Sequence, residues 1–383
     1  MKHMSTYYFA YGSNLNATDF HGWCAQSGFD PANLRPVKTA LLPDHELRFS
    51  HFSNVRNGGV LNLAQKHGSI VQGVVFEVCS EDTWKALDTK EGAPIVYERV
   101  PVIVIDDAGQ SISAQTYRVP LQKAQAHIPP NEDYLSIVKS GYERYGFDTG
   151  SLLDSAAGKS GSCELDSFFV YGTLMRGESR SALLPQFNIT CALGAVCPGS
   201  LFEGPGYPRM SIDGIGDSRV HGEFVRVGDV EAAIRELDKV EGFMGFLSRF
   251  SLFRRTIVYC DVGSGRFRRA WAYISRVDNP EACEKIPSGD WRRFQDKHEA
   301  TIKKIVSKYV YRSRGKNDLI AYPRKTVEQS ILMEIVRQVP FSFNPDASKK
   351  MIQETLFKLI VDGAIDERLV AQACDDWAVW FEA

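Results

Sequence analysis

The chain reads as an α+β protein built from two similar strand-and-helix units in tandem, followed by a helical C-terminal extension. FAYGSNLN at residues 9–16 returns in altered form as FVYGTLMR at 169–176. From Tyr11 to Glu91 is 80 positions and from Tyr171 to Glu241 is 70, and each glutamate ends a Leu-Asp-x-x-Glu-Gly stretch. The runs between these landmarks also keep one order: VVFEV (74–78), WKALDTKEG (84–92) and YERVPVIVI (97–105) are answered by GEFVRV (222–227), AIRELDKVEG (233–242) and FRRTIVYCDV (253–262). Self-similarity at this scale sets the architecture before any single element is assigned.

Each element follows from its local chemistry. An apolar and aromatic run entering Tyr-Gly and then a hydroxyl residue predicts a strand that breaks into a tight turn. VVFEV and FRRTIVYC are rich in β-branched and aromatic residues, as strands are. Ile234, Leu237 and Val240 recur at helical intervals, so Glu91 and Glu241 fall at helix ends. Gly92 and Gly242 follow directly, where a chain leaving a helix commonly turns through positive φ. YLSIVKSGYERYGF (134–147), behind Pro129-Pro130, predicts a helix that closes the first unit.

The expected boundaries are residues 6–148 for the first domain, 149–165 for a small polar linker, 166–293 for the second domain and 294–383 for the extension. In that extension Val327, Ile331, Leu332, Ile335, Val336 and Val339 share one helical face. Met351, Leu356, Leu359 and Ile360 predict a second helix, and Trp377 and Trp380 a third. Interdomain packing or a protein partner would use those faces. The basic run from Lys303 to Lys316 is expected to be a solvated helix face.

A length of 383 residues requires more than one domain. With 44% hydrophobic residues, 24% charged residues and a net charge of −2, the chain has no basic bias, so nucleic acid is not an expected partner. Eight cysteines occur without a CxxC pair and are expected to be reduced thiols. No apolar run reaches the roughly 20 residues of a membrane span. No leader precedes the fold, so a cytoplasmic protein without membrane contact is expected. Met1–Met4 are set aside, with Met4 as the expected natural start.

The glycine turns exclude several chemistries. Neither ends in the Gly-Lys-Ser/Thr of a phosphate loop, and GSNLN is not a nucleophile elbow. Gly214-Ile-Gly216 and Gly263-Ser-Gly265 lack the third glycine of a dinucleotide site. No metal-ligand spacing is present, so no metal is expected. What survives is a turn of outward backbone N–H groups paired with one distant helix-borne carboxylate. Such amides stabilise developing oxyanions, and the carboxylate can move a proton, a pairing suited to attack on an amide or ester carbonyl.

YGSNL followed by EG-x-x-x-x-Y-x-R resembles the γ-glutamylcyclotransferase family, and YGTLMRG with LDKVEG resembles its γ-glutamylamine cyclotransferase and AIG2-like branch. Arg56, Gly58, Gly59 and Gly73 also resemble the first branch, and Gly289-Asp290-Trp291 the second. The resemblance implies two small closed β-barrels flanked by helices. It implies release of 5-oxoproline from small γ-glutamyl compounds without a cofactor, with Glu91 and Glu241 as catalytic acid/base residues. It places oxyanion-binding amides around Gly12, Ser13 and Asn14, and around Gly172, Thr173 and Leu174, and puts Tyr97 near the site.

Tyr11 and Tyr171 could line the substrate pocket or pack the strand, and Ser13 and Asn14 could touch ligand or cap the next helix. Arg99 is expected to serve fold electrostatics. The second unit departs from the pattern: Phe253 stands where a tyrosine is expected, after a longer approach, and Leu174 replaces Asn14. The other functions this pattern allows are a non-catalytic γ-glutamyl-binding module and removal of a γ-glutamyl protecting group in a biosynthetic pathway.

Overall fold

In the computed structural model, which describes residues 6–30, 34–204, 207–213, 216–276 and 284–297, the first repeat is organised around one long hairpin. Leu34–Ser53 (β2) and Gly58–Val78 (β3) pair antiparallel along nearly their whole length. Register shifts between Pro36 and Lys38, Pro43 and His45, and Phe49 and His51 act as bulges that let such long strands bend. Thr6–Ala10 (β1) pairs with β3, while Glu98–Ile105 (β4) and Ser111–Arg118 (β5) continue from β2. A parallel bridge between Tyr8 and Gln115 joins β5 to β1 and closes the barrel.

Four helices flank this barrel. Ala17–Ser27 (α1) is capped by Asn16, whose side chain accepts from Asp19 N. Glu81–Glu91 (α2) is capped by Ser80 and stops at Gly92, which has φ 63°. Glu132–Arg144 (α3) carries the predicted closing helix, and Gly150–Ala156 (α4) follows. The compositional linker is therefore stitched to the hairpin. Ser155 Oγ donates to Leu47 O at 3.0 Å, and single bridges join Leu47 to Gly161 and Ser69 to Glu164.

The second repeat gives Ser167–Val170 (β6), Ile189–Pro198 (β7), the small separate hairpin Ser200–Glu203 (β8) and Pro208–Ser211 (β9), then Arg219–Val227 (β10). Val230–Val240 (α5), Phe253–Asp261 (β11) and Phe267–Ser275 (β12) complete it. Strands β10-β6-β12-β11-β7 form a second closed barrel. Two barrels in one α+β chain is the architecture that the doubled motif implies.

By packing, the described residues of 6–170, 182–197 and 223–276 form one compact unit, and those of 171–181, 198–222 and 284–297 form another. Within the first, Gly68 leaves room for Val230 and Ile234 of α5, which come within 3.1–3.3 Å of where a Cβ would stand. Arg255 of β11 is fully buried and donates to Asp44 of the first barrel's hairpin and, at 3.2 Å, to Asp238 of α5. The rings of Phe243, Phe246 and Trp271 lie 5.0–5.1 Å from its guanidinium. Among the described residues no helix is long and apolar enough to cross a membrane. The helices expected over 327–339 and 351–360, the Trp377 and Trp380 segment and the basic run from Lys303 lie outside the described residues.

Candidate active site

Helical spacing carries the site's carboxylate into place. On α2, Trp84, Leu87 and Glu91 share a face by i, i+3, i+7 spacing, and Trp84 and Leu87 are buried against the barrel. Burying that face holds the last residue of the helix, Glu91, beside the turn that leaves β1. That turn is a short 3₁₀ segment, Ser13–Leu15, in which Leu15 N donates to Gly12 O and Asn16 N to Ser13 O, both at 3.0 Å. The backbone N–H groups of Gly12, Ser13 and Asn14 have no partner among the described residues. The cap of α1 is Asn16, so neither Ser13 nor Asn14 fills that role.

The turn and the helix end meet in a small hollow of about 30 Å³, lined by Tyr11, Gly12, Ser13, Asn14, Glu91 and Tyr97. The six first-unit residues expected to act on or bind the substrate are therefore gathered in one place, while Arg56, Gly58, Gly59, Gly73 and Arg99 lie outside the lining. Asn14, only 5% exposed, donates through Nδ2 to Glu91 Oε1 at 2.8 Å and to Tyr8 Oη at 2.9 Å. Its Oδ1 is buried without a donor. A buried acceptor left unmet carries a desolvation cost that a ligand N–H would relieve.

Tyr8, Leu61, Tyr117 and Tyr134 complete the lining, and sequence reasoning did not select them. Tyr97 Oη donates to Leu61 O at 2.8 Å, Tyr134 Oη accepts from Leu61 N at 3.3 Å, and Tyr11 Oη donates to Tyr117 O at 2.7 Å. Tyr11 thus both packs the strand and faces the hollow. Burial holds the phenols of Tyr8, Tyr11 and Tyr97 far above their ordinary value and pushes Tyr134 up to about 12. They remain neutral hydroxyls, which leaves Glu91 as the one carboxyl group among the lining residues described.

Burial also raises Glu91 above the ordinary carboxylate range, opposed by Lys90, by the Asn14 hydrogen bond and by Arg56. Behind it, Asp19 lies 3.1 Å from Lys90 Nζ and 2.9 Å from Arg56 Nη2. Lys90 is only 6% exposed in its side chain, so its charge is held close to Glu91 rather than dispersed in water. The arrangement is a proton-accepting carboxylate beside unpaired main-chain donors and an orphan amide oxygen. It can accept a proton from a nucleophile while binding an oxyanion.

The family model described as "Gamma-glutamyl cyclotransferase, AIG2-like" matches residues 8–136 and 168–293, more than half of the chain. The chain belongs to this family. The expectation of a cyclotransferase-like enzyme stands with it. Among curated proteins, the γ-L-glutamyl-butirosin B γ-glutamyl cyclotransferase of Niallia circulans is 24% identical over 139 residues, 36% of this chain and 83% of the relative. A solved γ-glutamyl cyclotransferase is 25% identical, covering 40% of this chain and 88% of its own, with a TM-score of 0.35. YkqA from Bacillus subtilis is 16% identical, covering 71% of this chain and 84% of its own, with a TM-score of 0.28.

The second cyclotransferase repeat keeps the turn and changes its surroundings. Met175 N donates to Gly172 O at 2.9 Å, as Leu15 does to Gly12, and Arg180 N donates to Thr173 O at 2.8 Å. A Cβ on Gly172 would stand 2.5 Å from Pro208 Cγ, whereas one on Gly12 would meet only Leu61 Cδ2, at 3.8 Å. Tyr171 and Leu174 are buried and pack within the same compact unit as that turn. Glu241 caps α5, its N–H donating to Leu237 O at 2.9 Å, and Gly242 follows at φ 61°. Its carboxylate is close enough to Tyr273 to help hold that phenol high. Phe253 is buried and has no hydroxyl to match that of Tyr97.

Proposed function

We propose that the first barrel releases 5-oxoproline from γ-glutamyl amino acids or γ-glutamyl amines. The substrate's α-amine attacks its own γ-carbonyl carbon. A C–N bond forms within the glutamyl unit, and the C–N bond to the departing amine breaks. Because the nucleophile is tethered to its target, positioning supplies much of the acceleration. An α-amine with a pKa of roughly 8 is largely protonated at neutral pH. The fraction present as the free amine attacks; Glu91 takes the one proton its nitrogen loses on bonding to carbon and gives it to the departing amine.

In this reading the Asn14 Oδ1 atom accepts an N–H of the α-amine, next to Glu91, while the amides of Gly12, Ser13 and Asn14 hold the tetrahedral oxyanion. Each such donor is worth roughly 3–4 kcal/mol of transition-state stabilisation. The observation that supports the proposal most is the buried orphan acceptor of Asn14, 5% exposed, on a residue that also binds Glu91, the only carboxylate lining the hollow among the described residues. The raised pKa of Glu91 is what a base working near neutrality needs.

The second barrel is proposed to be a specialised or non-turnover module, in keeping with Leu174, Phe253 and the closeness of Pro208 to Gly172. The Niallia circulans relative is named for a γ-glutamyl-butirosin, so γ-glutamyl amides of bulky amines belong among the substrates to test. The deciding experiment is a 5-oxoproline assay over γ-glutamyl amino acids, γ-glutamyl amines and bulky γ-glutamyl amides. Glu91→Gln is expected to lose turnover by roughly 10²–10⁴-fold, and Glu241→Gln to change it little. Turnover by the double variant at the wild-type rate would refute the acid/base assignment.

A further inference from the structure

We propose that the first barrel carries a second ligand site, separate from the tyrosine-lined hollow, for a small organic anion with an apolar body. A cavity of about 560 Å³ lies between the β2–β3 hairpin, the segment 121–128 and the end of α4. That volume falls within the roughly 300–1,000 Å³ of small-molecule sites. It shares no lining residue with the hollow around Glu91.

The walls are fixed before any ligand arrives. Gln125 N donates to Ser50 O at 2.7 Å and Ile128 N to Phe49 O at 3.0 Å, which sews the 121–128 segment onto β2. Buried Asn62 braces the opposite side: its Oδ1 accepts from Leu63 N at 2.7 Å and Val119 N at 2.8 Å, and its Nδ2 donates to Ser50 Oγ at 3.0 Å. Pre-formed walls spare a ligand the entropic cost of ordering them.

The lining dictates the ligand's chemistry. Phe49, Leu63 and Val119 are buried and give an apolar floor, while Arg48, Arg118 and Lys159 stand in the lining with no carboxylate among them. Glu46 and Glu98 lie outside the lining; Glu46 Oε1 accepts from Arg48 Nε at 2.7 Å and also lies 2.5 Å from its Nη2, while Glu98 accepts from Arg118 through Nε alone, at 2.8 Å. Each carboxylate therefore orients a guanidinium without closing the cavity. Neither terminal nitrogen of Arg118 has a partner among the described residues. A planar donor fork with free N–H groups suits a carboxylate, sulfonate or phosphate, and the apolar floor suits the remainder of an amphipathic molecule.

The test is isothermal titration calorimetry on the full chain with three probes: 1-naphthoate, its neutral analogue 1-naphthylmethanol, and inorganic phosphate. Naphthoate is expected to bind at least about tenfold more tightly than either of the others, the discrimination that one charge-assisted hydrogen bond provides. Arg118→Gln should weaken naphthoate by a similar factor. Ala126→Trp, which sets a bulky ring into the lining and leaves every charge in place, should weaken binding at least about tenfold. Glu91→Gln should leave it unchanged, which separates this site from the proposed catalytic one. Naphthoate and the alcohol binding equally, unchanged affinity in Arg118→Gln or in Ala126→Trp, or no binding at millimolar naphthoate would each overturn the proposal.

Discussion

Asn14 Nδ2 donates to Glu91 Oε1 across 2.8 Å, so one side-chain hydrogen bond joins the turn after β1 to the end of α2 over 77 positions of sequence. That bond also lowers the Glu91 pKa against the larger effect of burial. Asn14→Leu would install the residue that stands at the matching position of the second repeat, with similar volume and no polar group. A hydrogen bond to a charged acceptor is worth roughly 1.5–3 kcal/mol, so kcat should fall roughly ten- to hundredfold. With burial less opposed, the Glu91 pKa should rise further, and the acid limb of the pH–rate profile should move to higher pH. A limb that stayed in place would show that Asn14 does not tune the base.

Replacing the proposed base should leave the fold intact or strengthen it. A raised carboxyl pKa means that the native state holds its proton more tightly than the unfolded chain does. The associated stability is complete below the unfolded value of about 4.3 and is lost as pH rises through the higher native value. Above the unfolded value the buried carboxyl is therefore a net cost, which Glu91→Gln removes while keeping an acceptor for Asn14. The variant should unfold at an equal or higher urea concentration at pH 7, and the difference should narrow toward about pH 4. A lower midpoint at pH 7 would mean that the charge of Glu91 holds the native state together.

The sequence made legible what is local and repeated: the Tyr-Gly turns, the helix-terminal glutamates, the glycines at φ 63° and 61°, and the closing helix of the first repeat. Its alternation of strand-like runs, with the family resemblance, was enough for two small barrels. It did not disclose Tyr8, Leu61, Tyr117 and Tyr134, because they sit on β1, β3, β5 and α3 and converge only once the barrel closes. Asn131 capping the helix that carries Tyr134 was a usable local signal. Lys90 was equally hidden: a lysine in the last turn of a helix normally reaches water, and only the closed site shows it buried against Asp19.

Asp19 is expected to set the field around Glu91 without touching the hollow. It neutralises Lys90 and Arg56, and its own charge raises the Glu91 pKa. Asp19→Asn would leave both cations uncompensated beside Glu91. The carboxylate would then hold its proton less tightly, moving the acid limb to lower pH and making a weaker base, so kcat at neutral pH should fall. Removing one partner of the buried Lys90 pair should also cost about 3 kcal/mol of stability. A pH profile shifted the other way would contradict the charge assignment.

The same Leu-Asp-x-x-Glu-Gly aspartate is used differently in the two barrels. In the first, Asp88 accepts from Tyr117 Oη at 2.6 Å and lies 3.6 Å from Arg99, which stays partly exposed and stacks 4.6 Å from the Trp84 ring. In the second, Asp238 accepts from Tyr273 Oη at 2.6 Å, but its arginine, Arg255, is fully buried and also reaches Asp44. Asp44 sits at φ 57°, a conformation that asparagine also tolerates, and its Oδ1 accepts from Gly68 N at 3.0 Å. Asp44→Asn therefore keeps the backbone geometry and the Gly68 bond while removing the charge that faces Arg255. A buried cation stripped of one of its two carboxylates should cost about 3–5 kcal/mol. Arg255→Met, which removes the cation but keeps much of its volume, would strand both aspartates and should cost a comparable amount. If the Asp44–Arg255 pair couples the barrels, the double variant should be less destabilised than the two single effects predict together. Urea unfolding of the two single variants and the double variant measures that difference, and strict additivity would mean that the two residues act independently.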